Sequence, residues 1–274
     1  MMKKTPFVLA LALISLILTG CFQSETTIHL NKDGSGTLVE ETRLGAQMLA
    51  MLDQMSAMGG GGKAKEDSVS KVFSEDKAKA RAGELGEGVT FEKLEPVSIG
   101  DSKGARVTYH FKDINRLKLA TGDAMKNMIA EGSMTAAGKK NPPIVFSCAD
   151  GQITIKLPQP EKLDTADLPA AENAERPNMD SPEVQAMVKE MFADMKLSLK
   201  VVLDSGISET NATYKNGDTI TLMDVNMGKL VENADVMKKL IKVDPKDPSA
   251  AMDALKGIEG VKIEPQKNVT VTLK

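Results

Sequence analysis

Ala105-Arg106-Val107-Thr108-Tyr109-His110-Phe111-Lys112 is the stretch on which the fold turns. Val107, Tyr109 and Phe111 take every second position, with Arg106, Thr108 and His110 between them. That is the period of a strand with one dry and one wet face. The same alternation recurs at Ile153 and Ile155 against Thr154 and Lys156, and at Ile220 and Leu222 against Thr219 and Thr221. Sheets covered on one side and wet on the other are typically antiparallel. The expected fold is therefore α+β: a mostly antiparallel sheet with helices packed on one face.

Working outward from that strand, its expected partner is Thr90–Val97, across a polar turn at Gly100–Gly104. Upstream, Thr26–Leu30 and Thr37–Glu40 flank the glycine-punctuated Asn31-Lys32-Asp33-Gly34-Ser35-Gly36 and read as a β-hairpin. Downstream, Ile144–Cys148 and Gln152–Leu157 flank Ala149-Asp150-Gly151 and read as another. Further strands are expected at Lys196–Asp204, Asp218–Met223 and around Val269–Leu273. Helices are expected over Gly45–Met58, closed by Gly59–Gly62, and from an N-cap at Ser74 to Leu85. Two more begin at Ser181-Pro182-Glu183 and at Asp247-Pro248. The segment 158–180, rich in Pro, Ala, Asp and Glu, reads as loop, and 120–142 is irregular.

Hairpin, helix and two strands follow in the same order in 25–120 and in 143–232, with a helix and strand at 247–274 to finish. Asp113-Ile114-Asn115 with Lys118-Leu119 also matches Asp224-Val225-Asn226 with Lys229-Leu230. This is the order an internal duplication would leave.

The N-terminus carries a separate message. Lys3 and Lys4 precede Phe7–Leu18, a twelve-residue run whose only polar member is Ser15. A spanning helix needs about 20 apolar residues, whereas a secretion signal has a basic start and a shorter apolar core. Leu18-Thr19-Gly20-Cys21 then resembles the lipobox of bacterial lipoproteins, an aliphatic and two small residues before a cysteine. The resemblance implies a diacylglycerol on the Cys21 thiol and cleavage between Gly20 and Cys21 by signal peptidase II. Residues 1–20 are then the signal and 21–274 the mature body. Phe22 rather than Asp follows the cysteine, which by the enterobacterial sorting rule implies the periplasmic face of the outer membrane. Two or more acyl chains hold a protein stably, since each buried CH₂ contributes about 0.8 kcal/mol. The lipobox, the Asp33-Gly34-Ser35-Gly36 hairpin and an α+β body together are similar to DGSG-hairpin lipoproteins and to the lipid-binding LppM-like ones.

Composition narrows the function. Of 274 residues, removing 20 leaves 254, enough for one large or two small domains. Losing Lys3 and Lys4 takes the net charge from −3 to about −5, which gives no electrostatic reason to expect nucleic acid. With Cys21 carrying lipid, Cys148 has no intramolecular partner and reads as a small core residue. There is no Trp, with two Tyr, seven Phe and seventeen Met, so stacking platforms for sugars or bases are scarce.

Candidate chemistry is thin. Gly100-Asp101-Ser102-Lys103-Gly104 matches G-x-S-x-G, but between two strands rather than on a strand-to-helix turn. Ser68 and Lys71 share a serine–lysine spacing without the elements that accompany it in penicillin-binding proteins. His29 and His110, the only histidines, would share a metal only if their strands were neighbours, and no third ligand is suitably spaced. Asn31, Asp33 and Ser35 alternate like a calcium loop that lacks its closing Glu. Met48, Met51, Met55 and Met58, like Met187, Met191 and Met195, could hold Cu(I), but their spacing is also that of a helix face packed on a core. The expectation is a non-enzymatic envelope lipoprotein with no metal and no cofactor beyond the lipid at Cys21. Its partners are the membrane through that anchor and an envelope protein, met through a sheet face or the Met48–Met58 helix. The alternative is a carrier with an apolar pocket between sheet and helices.

Overall fold

The computed structural model describes residues 22–58, 68–120, 142–158, 192–243 and 248–274, with 181, 186 and 189 besides. The fold is α+β with mostly antiparallel sheets. The chain opens with β1 (Phe22–Leu30) and β2 (Gly36–Leu44), then α1 (Ala46–Met58), α2 (Ser68–Val72) and α3 (Glu75–Leu85). Next come β3 (Val89–Ile99), β4 (Ser102–Phe111) and a 3-10 turn (Ile114–Arg116). A second hairpin, β5 (Val145–Ala149) and β6 (Gln152–Lys156), precedes β7 (Lys196–Leu203), β8 (Ile207–Thr210), β9 (Lys215–Asn216) and β10 (Thr219–Asn226). Three helices, α4 (Met227–Glu232), α5 (Ala234–Lys242) and α6 (Pro248–Leu255), lead to β11 (Val261–Ile263) and β12 (Asn268–Leu273).

The larger sheet runs β11-β10-β7-β1-β2-β4-β3, with β9 on β10. Its one parallel pair is β1 with β7; the rest are antiparallel. The smaller sheet runs β5-β6-β12-β8, antiparallel throughout.

Both expected hairpins form, and the turn chemistry explains them. Asp150 and Gly151 both have positive φ, 51° and 74°, as a two-residue turn matching the strand twist requires. In the first hairpin the Asp33 carboxylate accepts from the Ser35 backbone N–H at 2.9 Å and from the Ser35 hydroxyl at 2.6 Å. These bonds hold the Asp33 carboxyl below its usual pKa. Asn31 completes the loop by donating to the Ser35 hydroxyl at 3.0 Å. Turn formation therefore accounts for the calcium-like spacing. Ser74 caps α3 as expected, accepting from the Lys77 N–H at 3.4 Å.

The strand alternation puts Ile28, Leu30, Leu38, Tyr109, Phe111, Val201 and Leu203 on one face of the large sheet, all almost fully buried. Most of what covers them is the second sheet rather than helices. Phe146, Ile153, Ile155, Val269 and Val271 belong to the same buried cluster, joined by Ala82 and Leu85 of α3. The helix expected on the apolar face is there as α3, and the second sheet shares that face with it. A smaller cluster gathers Val225, Leu230, Val236 and Val261, where α4 and α5 meet the end of β10. The opposite face of the large sheet is wet and carries ion pairs across the ladder, Lys200 to Glu25 at 2.9 Å and Arg106 to Glu41 at 2.6 Å.

The order of elements recurs between halves, but the pairing does not. The first hairpin lies in the large sheet, the second in the small one. Asp113 caps a 3-10 turn, whereas its counterpart Asp224 lies inside β10. The matched residues thus occupy different local structures, and the pairing gives no support to a duplication.

Of the helix expected from Ser181, Ala186, Lys189 and Phe192 are helical. Its positions 182–185, 187, 188, 190 and 191, the segment 120–142 except its ends, the loop after Pro158, Asp247 and Gly59–Gly62 lie outside the described residues, while Met195, expected on its stripe, falls in the turn before β7. Strands β8, β9 and β11 and helices α4 and α5 were not expected. Nor was Glu264, buried between β11 and β12. Its carboxylate accepts from the Thr213 N–H at 2.8 Å, the Thr213 hydroxyl at 2.9 Å, the Gln266 N–H at 3.1 Å and the Tyr214 N–H at 3.3 Å. One buried charge thereby fastens the loop after β8 to the link between the last two strands.

Candidate functional site

The inward face of β1 is not uniformly apolar. Phe22, Ile28 and Leu30 share it with Ser24 and Thr26, both buried. On β2 the residues paired with those two are Thr42 and Glu40, while Leu38 and Leu44 lie to either side. The middle of the face is therefore polar and thinly filled, because Ser, Thr and the neighbouring Ala105 of β4 are small. Over this patch pass the end of α2 and the length of α3, which leave a groove of about 340 Å³.

Ser24, Thr26, Thr42, Ala105 and Val107 form its floor, and Val72, Phe73, Ala78 and Arg81 line the helical side. Arg81 reaches across to the Glu40 carboxylate at 3.3 Å, with both side chains mostly buried, and also meets Glu84 at 3.3 Å. Tyr109 stands at the edge of the groove; burial, with Glu40 nearby, pushes its phenol well above the usual pKa. Hydroxyls and one ion pair below, aliphatic and aromatic carbon above, make a lining suited to an amphiphile. Its volume falls at the small end of ligand pockets. Neither a histidine nor a cysteine lines it.

The sequence carried a signal for this groove. Ser24 and Thr26 are in phase with Ile28 and Leu30, and Glu40 and Thr42 are in phase with Leu38 and Leu44. Polar residues on apolar register positions mark a face that is not simply core.

The expected sites fare differently. Gly20 and Cys21 lie outside the described residues, as do Met187 and Met191. Met48, Met51, Met55 and Met58 all fall within α1, though the side chains of Met55 and Met58 are outside the described set. Met48 is half-buried and Met51 is 57% exposed, so core packing does not account for Met51.

His29 and His110 face the same side of the sheet but flank Thr37, with β2 between them. Two strand spacings separate them by roughly 10 Å, too far to share an ion bound at about 2 Å. His29 lies instead 3.7 Å from Asp204. Among the described residues no three or more His, Cys, Asp or Glu side chains gather as a metal site would.

Both glycines of the G-x-S-x-G match have structural causes. Gly100 turns the β3–β4 hairpin at φ +57°. At Gly104 a Cβ would stand 1.8 Å from the Thr42 carbonyl oxygen of the next strand. Ser102 begins β4, and His110 lies eight residues along that strand, roughly 26 Å away. No elbow exists there. Ser68 and Lys71 both lie on α2, where the Lys71 carbonyl accepts from the Lys77 ammonium. Cys148 is half-buried against the core, and burial together with Asp113 and Asp33 pushes its thiol pKa up. That makes it a poorer nucleophile, in keeping with a packing role.

No family model and no curated protein matches the chain. Among solved structures it is similar to the folded domain of the Mycobacterium tuberculosis LppM protein, solved by NMR. The identity is 8%, over 95% of each chain, with a TM-score of 0.32. Likeness at that level carries no argument here.

Proposed function

We propose that this chain is a cell-envelope lipoprotein, held on a bilayer by lipid on Cys21, whose body binds rather than catalyses. The observation that carries it is where the sheet begins. Strand β1 is in register with β2 from Phe22 onward, Phe22 pairing with Leu44 and buried at 2% exposure. A cut before Cys21 leaves that whole nine-residue strand in the mature protein. The lipobox thus ends one residue before the first described strand. Among the described residues no helix is long and apolar enough to cross a membrane, so attachment in this reading falls to the acyl chains. The periplasmic face of the outer membrane is the site that Phe22 at the second mature position favours.

Fractionation tests the anchor. Wild-type protein should be extracted from membranes only by detergent, while Cys21→Ala should accumulate uncut or appear soluble. A Cys21→Ala chain cut at the same bond and still membrane-bound would defeat the proposal.

The groove favours a second reading, carriage of an amphiphile. Its hydroxyl floor and Arg81–Glu40 pair suit a polar head, and Val72, Phe73 and Val107 suit a chain. This reading expects a co-purifying amphiphile detectable by mass spectrometry, lost in Ala105→Leu, which fills the floor. A ligand-free wild-type protein that takes up no fatty acid or phospholipid would count against it.

A further inference from the structure

We propose that the end of the large sheet at which β1 starts lies on the bilayer, with α1 and the β3–β4 hairpin tip dipping into the headgroup region. This rests on lipidation at Cys21 and adds which surface meets the lipid.

The first argument is distance. Consecutive Cα atoms are about 3.8 Å apart, so Phe22 stands within one residue of the lipidated position. No linker intervenes, because Phe22 is already paired in the sheet. The headgroup zone on each side of a bilayer is only about 6 Å deep. Whatever lies level with Phe22, or beyond it, must therefore sit at the membrane surface.

The register says what lies there. Phe22 pairs with Leu44, Leu44 with Lys103, and Lys103 with Ser98. Ile99 is one residue further out, ahead of the turn at Gly100, and is 57% exposed. Helix α1 starts two residues after Leu44, and Met51 comes within roughly 8 Å of axial rise from its start. Met51 is also 57% exposed. Three large apolar side chains are exposed among the described residues; Ile99 lies at this end, and Met51 lies on the helix that leaves it. The third, Val145, shares a surface depression with Glu87 and Arg116, beyond the Val89–Phe111 end of the same sheet.

Charge selects the kind of surface. Lys196 pairs with Asp224 at 3.7 Å and Lys229 with Glu259 at 2.5 Å, and exposed Lys103 is balanced by exposed Asp101. These described charges offset one another and supply no basic excess to seek acidic lipid. A zwitterionic surface, entered by apolar side chains, is the occupant these observations fit.

The chain has no tryptophan, so one introduced indole reports alone. Full-length lipidated Met51→Trp, Ile99→Trp and Val145→Trp are each reconstituted into phosphatidylcholine vesicles with or without brominated acyl chains. The expected result is quenching and a blue shift at positions 51 and 99 and neither at 145, with little dependence on salt. Flotation of the same samples reads the anchor separately. Vesicles that float with the protein while 51 and 99 stay unquenched would overturn the orientation and leave the anchor standing, as a protein partner at this end would require. Protein that fails to float would overturn both.

Discussion

Substituting Gly104 by Ala gives the most exacting test of the sheet. A Cβ there would lie 1.8 Å from the Thr42 carbonyl oxygen and 2.8 Å from the Arg43 Cα, both backbone atoms of β2. Neither can rotate away. Restoring ordinary contact requires the strands to part by more than about 1 Å, which stretches nearby ladder bonds beyond useful length. Overpacking costs about 1–3 kcal/mol and each weakened bond about 1, so the loss should be about 3–4 kcal/mol. Gly100→Ala meets open space, with nothing within 4 Å, and suffers only from φ +57°. Its loss should be about 1–2 kcal/mol. Ser102→Ala touches the same motif and should lose under about 0.5 kcal/mol. Urea unfolding of detergent-extracted protein, followed by far-UV circular dichroism, measures all three. A Gly104→Ala protein as stable as its parent, or a Ser102→Ala protein as weakened as Gly104→Ala, would refute the reasoning.

The other predictions concern the core and its ionisable groups. Ile155→Ala, in the small sheet, should lower stability of the whole molecule in a single transition by about 2–5 kcal/mol, because its 0%-exposed side chain lies in the cluster shared by both sheets. A circular dichroism trace in which only part of the signal shifts would mean that the sheets do not share a core. Glu264→Ala should remove about 3 kcal/mol in the same assay, since four donors lose a buried carboxylate; an unchanged midpoint would contradict that. In an alkaline absorbance titration Tyr109, read as wild type minus Tyr109→Phe, should ionise well above the usual phenol range. Tyr109 is raised by burial, so its contribution to stability is full below the unfolded value near 10 and is lost as pH climbs past it. A Tyr109 signal appearing in the ordinary phenol range in folded protein would exclude this.

The periodic elements were legible. Val107-x-Tyr109-x-Phe111, the Asp150-Gly151 turn and the Ser74 cap signal local physics strongly, and the structure places each where its pattern indicates. The second sheet was not legible as a separate layer, because β8 has four residues and strand alternation says nothing about which sheet a strand joins. The parallel pairing of β1 with β7 joins residues some 170 positions apart, beyond any local signal. Met51 shows the limit from the other side. Helical spacing of methionines gives a stripe, but whether that stripe meets a core or a surface depends on the neighbour the fold supplies. The groove lay in between, written as Ser24, Thr26, Glu40 and Thr42 on otherwise apolar positions and readable only once strand register is known.

The mass of the mature N-terminal peptide tests the central claim most directly. Protein isolated from membranes, digested and analysed by mass spectrometry should yield a peptide beginning at Cys21 and heavier by a thioether-linked diacylglycerol. An unmodified Cys21 within an uncut chain, or a peptide starting elsewhere and free of acyl groups, would contradict the account.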